Sequence, residues 1–280
     1  MSFQPATPLG GVAGWAFLNR TLERQSASFR DSSEVARETA YFRDNIGKVT
    51  DAAGLVSDHR LLRVALGAFG LDSDIDKRFF VRKVLEEGTA DPASMANRLV
   101  DKRYARLADA FGFDNPFGAR TARPQAMATI TAAFETRQFE IAVGNSDPSL
   151  RLALGFRREI AALAEAGGAT GWYGLLGNIP VRKVLVEGFG LPTSFAGLDI
   201  DRQVATLQDR TASLYGSGDI AVFSDPDRVE DTIRRYLARS GASNSSIASG
   251  PAATALSLLQ ASQSRNSGVA SLEALFSALY

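Results

Sequence analysis

The chain has 280 residues, 45% of them hydrophobic and 22% charged, with 31 basic and 31 acidic side chains and a formal net charge of zero. That balance describes a folded globular chain with a sizeable core, and it lacks the basic excess of a nonspecific nucleic-acid binder. There is no cysteine and one histidine, His59, which excludes disulfides, thiolate metal sites and cysteine nucleophiles, and leaves Ser-His chemistry and most zinc patterns resting on one residue.

No apolar run approaches the roughly eighteen residues needed to span a bilayer, so no integral membrane segment is expected. The opening MSFQPATPLGGVAGWAFLNR has an apolar patch with no basic residue before it, so no cleaved secretory signal is expected either.

Ala, Leu, Arg and Glu fill long periodic runs, whereas alternating Val, Ile and Thr are almost absent, which predicts an all-α protein. The spacing predicts helices over 12–28, 33–46, 58–69, 75–87, 92–99, 102–111, 124–144, 148–165, 180–187, 201–215 and 226–239. Three starts use one device, Asp91-Pro92, Asp147-Pro148 and Asp225-Pro226, in which the carboxylate caps orphan amides and proline suits the first helical position. Three stops also recur: LGAFGL, ADAFGF and VEGFGL place Gly70, Gly112 and Gly190 where a left-handed residue can end a helix in a Schellman-type cap.

Near the middle the chain repeats itself. VRKVLEEG begins at Val81 and VRKVLVEG at Val181, and the ungapped segments 81–109 and 181–209 share 14 of 29 residues. The shared content is architectural: Val81, Val84, Leu85 and Gly88 make a short amphipathic helix and its stop, Pro92 to Ala96 a second short helix, and Asp101 an N-cap before a third. A helical unit used twice implies two related halves packed in a multi-helix bundle, and two copies are too few for a solenoid. The organisation expected is an N-terminal segment over 1–34, a first helical half over 35–120, a second over 121–240, and a flexible linker with a terminal helix over 241–280. SGASNSSIASG, from Ser240, supplies the linker. Beyond it Leu272, Leu275, Phe276, Leu279 and Tyr280 fall on one helical face, a stripe suited to a partner's groove or to this chain's own body.

Catalytic signals are sparse. DSDIDKRFFVRK, from Asp72, has the first acids of a calcium loop, but Lys77 stands at the required glycine and Lys83 at the required glutamate, so helix capping explains it better. GSGD and GFGLPT complete no phosphate-binding pattern and read as turns. His59 falls in a first helical turn with no nucleophile beside it, and the pairs Arg157-Arg158 and Arg234-Arg235 read as solvated charge. No catalytic residue, metal ligand or cofactor is assigned. An enzyme or small-molecule binder would need a pocket between the halves, near Trp172, Tyr173 and the repeated Arg82 and Arg182.

Taken in order, LLRVALGAFGL, FFVRKVLEEG, DPASMANRLVDKRYARLADAFGF, WYGLLGNIPVRKVLVEGFGLP and LDIDRQ resemble the alphaproteobacterial domain-of-unknown-function 1217 family over roughly residues 35–240. The resemblance implies a context, since members tend to be encoded among flagellar genes, and it brings no catalytic residues. It implies a non-enzymatic helical protein with a structural, assembly or partner-binding role in the flagellar system, cytoplasmic or flagellum-associated, with a protein partner and no nucleic acid. A cytoplasmic export escort is the narrower alternative.

Overall fold

The computed structural model describes residues 3–248, and among these there are thirteen α-helices and no strand, an all-α bundle. In chain order the helices are α1 (Gly11–Arg30), α2 (Ser33–Asn45), α3 (Ala52–Ser57), α4 (His59–Phe69), α5 (Arg78–Glu87), α6 (Met95–Arg98), α7 (Arg103–Phe111), α8 (Pro124–Ser146), α9 (Pro148–Ala166), α10 (Gly168–Gly177), α11 (Ile179–Gly188), α12 (Ile200–Tyr215) and α13 (Pro226–Ala248). Helix α13 runs on to Ala248, through the start of the segment the composition marks as a linker. The terminal stripe of Leu272, Leu275, Phe276, Leu279 and Tyr280 lies outside the described residues.

Two separate apolar clusters form the interior. One gathers Phe42, Leu55, Leu62, Leu66, Val84, Leu85, Leu107, Phe111 and Phe134, from α2 to α5, α7 and the first half of α8. The other gathers Trp15, Leu18, Phe139, Val143, Phe156, Trp172, Leu185, Leu207, Phe223 and Tyr236, from α1, the second half of α8 and α9 to α13. Helix α8 therefore serves both lobes, with Met127, Ile130 and Phe134 in one core and Phe139 and Val143 in the other. Helix α1, first in the chain, packs with the second lobe through Trp15, whose indole N–H donates to Glu230 Oε1 on α13 at 2.8 Å.

The punctuation works with two exceptions. Asp147 accepts from the Ser149 and Leu150 amides and starts α9 with Pro148 at its first position. At Asp91-Pro92 the carboxylate accepts from Ala93 N but closes only a turn; α6 begins later, at Met95, behind Ser94, whose hydroxyl accepts from Asn97 N. Gly70 and Gly190 close Schellman motifs, with Leu71 N donating to Leu66 O and Leu191 N to Val186 O. Gly112 closes the simpler left-handed cap, through Gly112 N to Ala108 O.

The two repeat copies share a core face and diverge at their ends. Val81, Val84 and Leu85 are fully buried, as are Val181, Val184 and Leu185, and Lys83 reaches Glu87 at 3.8 Å as Lys183 reaches Glu187 at 3.8 Å. Gly88 ends α5 with a positive φ of 61°, whereas Gly188 stays helical and the stop moves to Gly190. The expected cap at Asp101 is displaced too. Asp101 accepts from Arg103 N two residues ahead of the helix, with Lys102 at the cap position, and in the second copy Asp199, not Asp201, caps α12.

Candidate functional site

The joint between the lobes is built from charge. Where α8 passes from one core to the other it carries Arg137 and Glu140, and α9 faces them with Arg158 and Glu159. Arg158 binds Glu140 with Nε to Oε1 at 2.8 Å and Nη2 to Oε2 at 3.0 Å, and also pairs with Glu159. Arg137 Nη2 meets Glu159 Oε1 at 2.7 Å while its Nε donates to Ala68 O on α4 at 2.9 Å, and Arg106 on α7 reaches Glu159 Oε2 at 3.3 Å. Glu159 thus collects arginines from both lobes. Burial alone would raise its carboxyl, yet Arg158, Arg106 and Arg137 hold it below the usual carboxylate range. Burial pushes Arg137 down; Arg158 goes up, because Glu140 and Glu159 outweigh its own desolvation. The network sets three arginines, Arg106, Arg137 and Arg158, against the two carboxylates of Glu140 and Glu159, and so ties α7, α8 and α9 together.

The residues proposed for a pocket between the halves fall in two places. Trp172 is fully buried, with its indole N–H on Gly218 O at 3.1 Å. Tyr173 points outward and donates to Asp201 Oδ1 at 2.7 Å, and Arg182 Nη1 donates to Leu176 O at 3.3 Å, so these three sit together around α10 and α11. Arg82 is in the other lobe, paired with Glu86 on the surface of α5. Two surface cavities of about 140 and 280 Å³ lie along α8, and none of the four lines either. The acids that mimic a calcium loop are otherwise engaged. Asp74 is buried and bound by Tyr104 Oη and by Lys77 Nζ, and Asp72 accepts from Gln138. Among the described residues no group of three or more His, Asp or Glu is placed to hold a metal ion. His59 is exposed, behind its N-cap Asp58, which also accepts from Tyr41 Oη at 2.7 Å.

A different set of residues stands out on the surface. Phe79 is 83% exposed, Val100 85%, Ile179 67% and Ile200 53%. Val100 and Ile200 are equivalent positions of the repeat, and Phe79 and Ile179 stand at the same hundred-residue spacing, two residues ahead of it. Phe79 belongs to the first turn of α5 and Val100 lies just before α7; Phe80 meets Tyr104 edge to face with centroids 5.1 Å apart, which sets those two helix starts side by side. Ile179 and Ile200 open α11 and α12, and the half-exposed Tyr173 and Leu198 flank them. The identity count that reveals the repeat hides these residues, because Val100 and Ile200 differ and Phe79 and Ile179 fall outside the counted segment. Apolar character conserved at a spacing of one hundred was the available signal.

No match was found among curated proteins. Among solved structures the fold is similar to an X-ray crystal structure of a protein from Agrobacterium tumefaciens, with 26% sequence identity and a TM-score of 0.69 over 84% of this chain and 97% of that one. A family model described as a protein of unknown function, DUF1217, matches residues 68–229, from the end of α4 into α13, and therefore takes in both repeat copies and the charged joint between them. The chain belongs to the DUF1217 family.

Proposed function

We propose that the chain is a non-enzymatic helical protein that binds a protein partner in the bacterial flagellar system, in the cytoplasm or at the flagellum. The observation that carries the binding reading is the recurrence of exposed apolar residues one hundred positions apart, Phe79 with Val100 and Ile179 with Ile200, in and just ahead of the two repeat copies. Single exposed apolar side chains are ordinary on any protein. The same pair kept outside twice, while the core faces of both copies are filled, fits a surface that gains its stabilisation from a partner. A rigid two-lobed body locked by buried ion pairs would hold the two pairs at a set separation, as a bivalent contact requires. The flagellar setting rests on the family resemblance alone and is part of the proposal.

The test is a clean deletion of the gene, complemented either with the full chain or with a variant carrying Phe79→Ser, Val100→Ser, Ile179→Ser and Ile200→Ser. Lost swimming that is restored by the first and not by a folded, equally abundant variant supports the proposal. Restoration by both removes the apolar pairs from it.

A further inference from the structure

Helices α1, α8 and α9 line the open surface cavity of about 280 Å³, near the small end of the ~300–1,000 Å³ of ordinary ligand pockets. Its floor is apolar, made by Leu22 with the buried Phe139 and Leu154. The charged groups that face it are Arg30 from α1, Glu135 and Glu140 from α8, and Arg157 and Arg158 from α9. The two carboxylates already have cations. Both oxygens of Glu140 are taken by Arg158, and Glu135 pairs with Arg43 at 3.2 Å.

The cations are not matched in the same way. Among the described residues neither Arg157 nor Arg30 on the rim forms an ion pair, although Arg30, with Arg43, pulls the Glu135 carboxyl down against its burial. Arg157 is half-buried, with its guanidinium 5.0 Å from the centroid of the Trp15 ring and its Nη1 donating to Asn19 Oδ1 at 2.8 Å. A guanidinium carries five N–H donors in a planar fork, so most of this one remains available. Burial pushes Arg157 down, against the more distant pull of Glu230 and Glu140, which marks a charge that lacks a close counter-ion. An anion arriving beside it would offset that desolvation.

We propose that this cavity binds a small organic anion, a carboxylate on an apolar chain or ring, with the carboxylate against Arg157 and Arg30 and the body on Leu22, Phe139 and Leu154. The apolar floor disfavours inorganic phosphate or sulfate. The site is separate from the exposed apolar pairs and does not depend on the flagellar reading.

The full chain is titrated with hexanoate and benzoate, followed by thermal melting and by calorimetry, with hexanamide and benzamide as neutral counterparts. At about 10 mM either carboxylate should raise the melting temperature by roughly 2–4 °C, and the amides should not. R157Q should weaken binding at least about tenfold. Because that substitution also removes a contact with Trp15, A132W serves as a second variant: Ala132 lines the cavity from an exposed position of α8, and the indole would plug it without entering the core. Loss of the carboxylate shift in A132W is the supporting outcome. No shift with either carboxylate, an equal shift with the amides, or an unchanged shift in A132W overturns the proposal.

Discussion

The guanidinium of Arg158 takes both carboxylate oxygens of Glu140, at 2.8 and 3.0 Å. Bidentate pairing of this kind fixes orientation as well as distance. It clamps α9 against α8 at the level where α8 leaves one apolar core and enters the other.

Removing one partner of that clamp should cost more than removing both. R158L strands the buried Glu140 carboxylate, and the expected loss is about 3–5 kcal/mol in urea unfolding. The double variant E140L/R158L should lose clearly less, since no orphaned charge stays buried. Equal losses would show that the ion pair contributes no more than its packing volume.

The joint should weaken in acid with a definite sign. Glu159 is held below its ordinary value of 4.5 in the folded state, against burial, by Arg158, Arg106 and Arg137. A depressed folded value gives stability that is fully present above the unfolded value and is lost as pH falls through the folded one. The stability gap between the wild type and E159Q should therefore be constant near neutral pH and shrink below about pH 4.5. A gap that stays constant down to about pH 3 contradicts this assignment.

Gly88 and Gly188 occupy one repeat position for different reasons. Gly88 has a φ of 61°, and an added Cβ would lie 1.9 Å from Asp114 Cγ, whose carboxylate accepts from the Thr89 and Ala90 amides. Gly188 is helical, and its added Cβ would meet Thr232 O at 3.1 Å. G88A should cost about 2–3 kcal/mol or more through strain and displacement of Asp114. G188A should change stability by less than about 1 kcal/mol, because helix propensity offsets the crowding. Chemical denaturation of both variants reads the difference.

The repeated charges should matter little and the repeated leucines much. K83A and K183A break exposed pairs and should each cost below about 0.5 kcal/mol. L85A and L185A empty fully buried sites and should each cost about 2–5 kcal/mol. Hydrogen exchange should place the damage of L85A mainly in the α2 to α7 lobe, and that of L185A in the lobe of α9 to α13.

The all-α class and most helix starts were legible because caps are local: Asp147, Gly70 and Gly190 act through neighbours within a few residues. Helix α10 was not legible. Glycines at 168, 171, 174 and 177 lower its helix propensity, yet Gly171 and Gly174 let α10 lie against α9, where an added Cβ would meet Leu163 O at 2.5 Å and Leu163 Cδ2 at 2.9 Å. Tertiary approach overrides propensity there. The short α3, a single capped run behind Asp51, carries too little periodicity to be seen. Arg157-Arg158 reads as solvated charge because sequence shows the charges and not their distant partners. The clue lay on α8, where Arg137 continues the buried face of Ile130 and Phe134 at helical spacing. Arg82 on α5 and Arg182 on α11 are related by the repeat, and a repeat relates positions without bringing them together.

The most direct measurement is swimming, with filament counts, in a gene-deletion strain complemented with the full chain or with the four-serine variant of the exposed apolar pairs. Deletion should abolish swimming and only the full chain should restore it, with filament number separating assembly from rotation. Normal swimming and normal filaments in the deletion strain would contradict the flagellar reading.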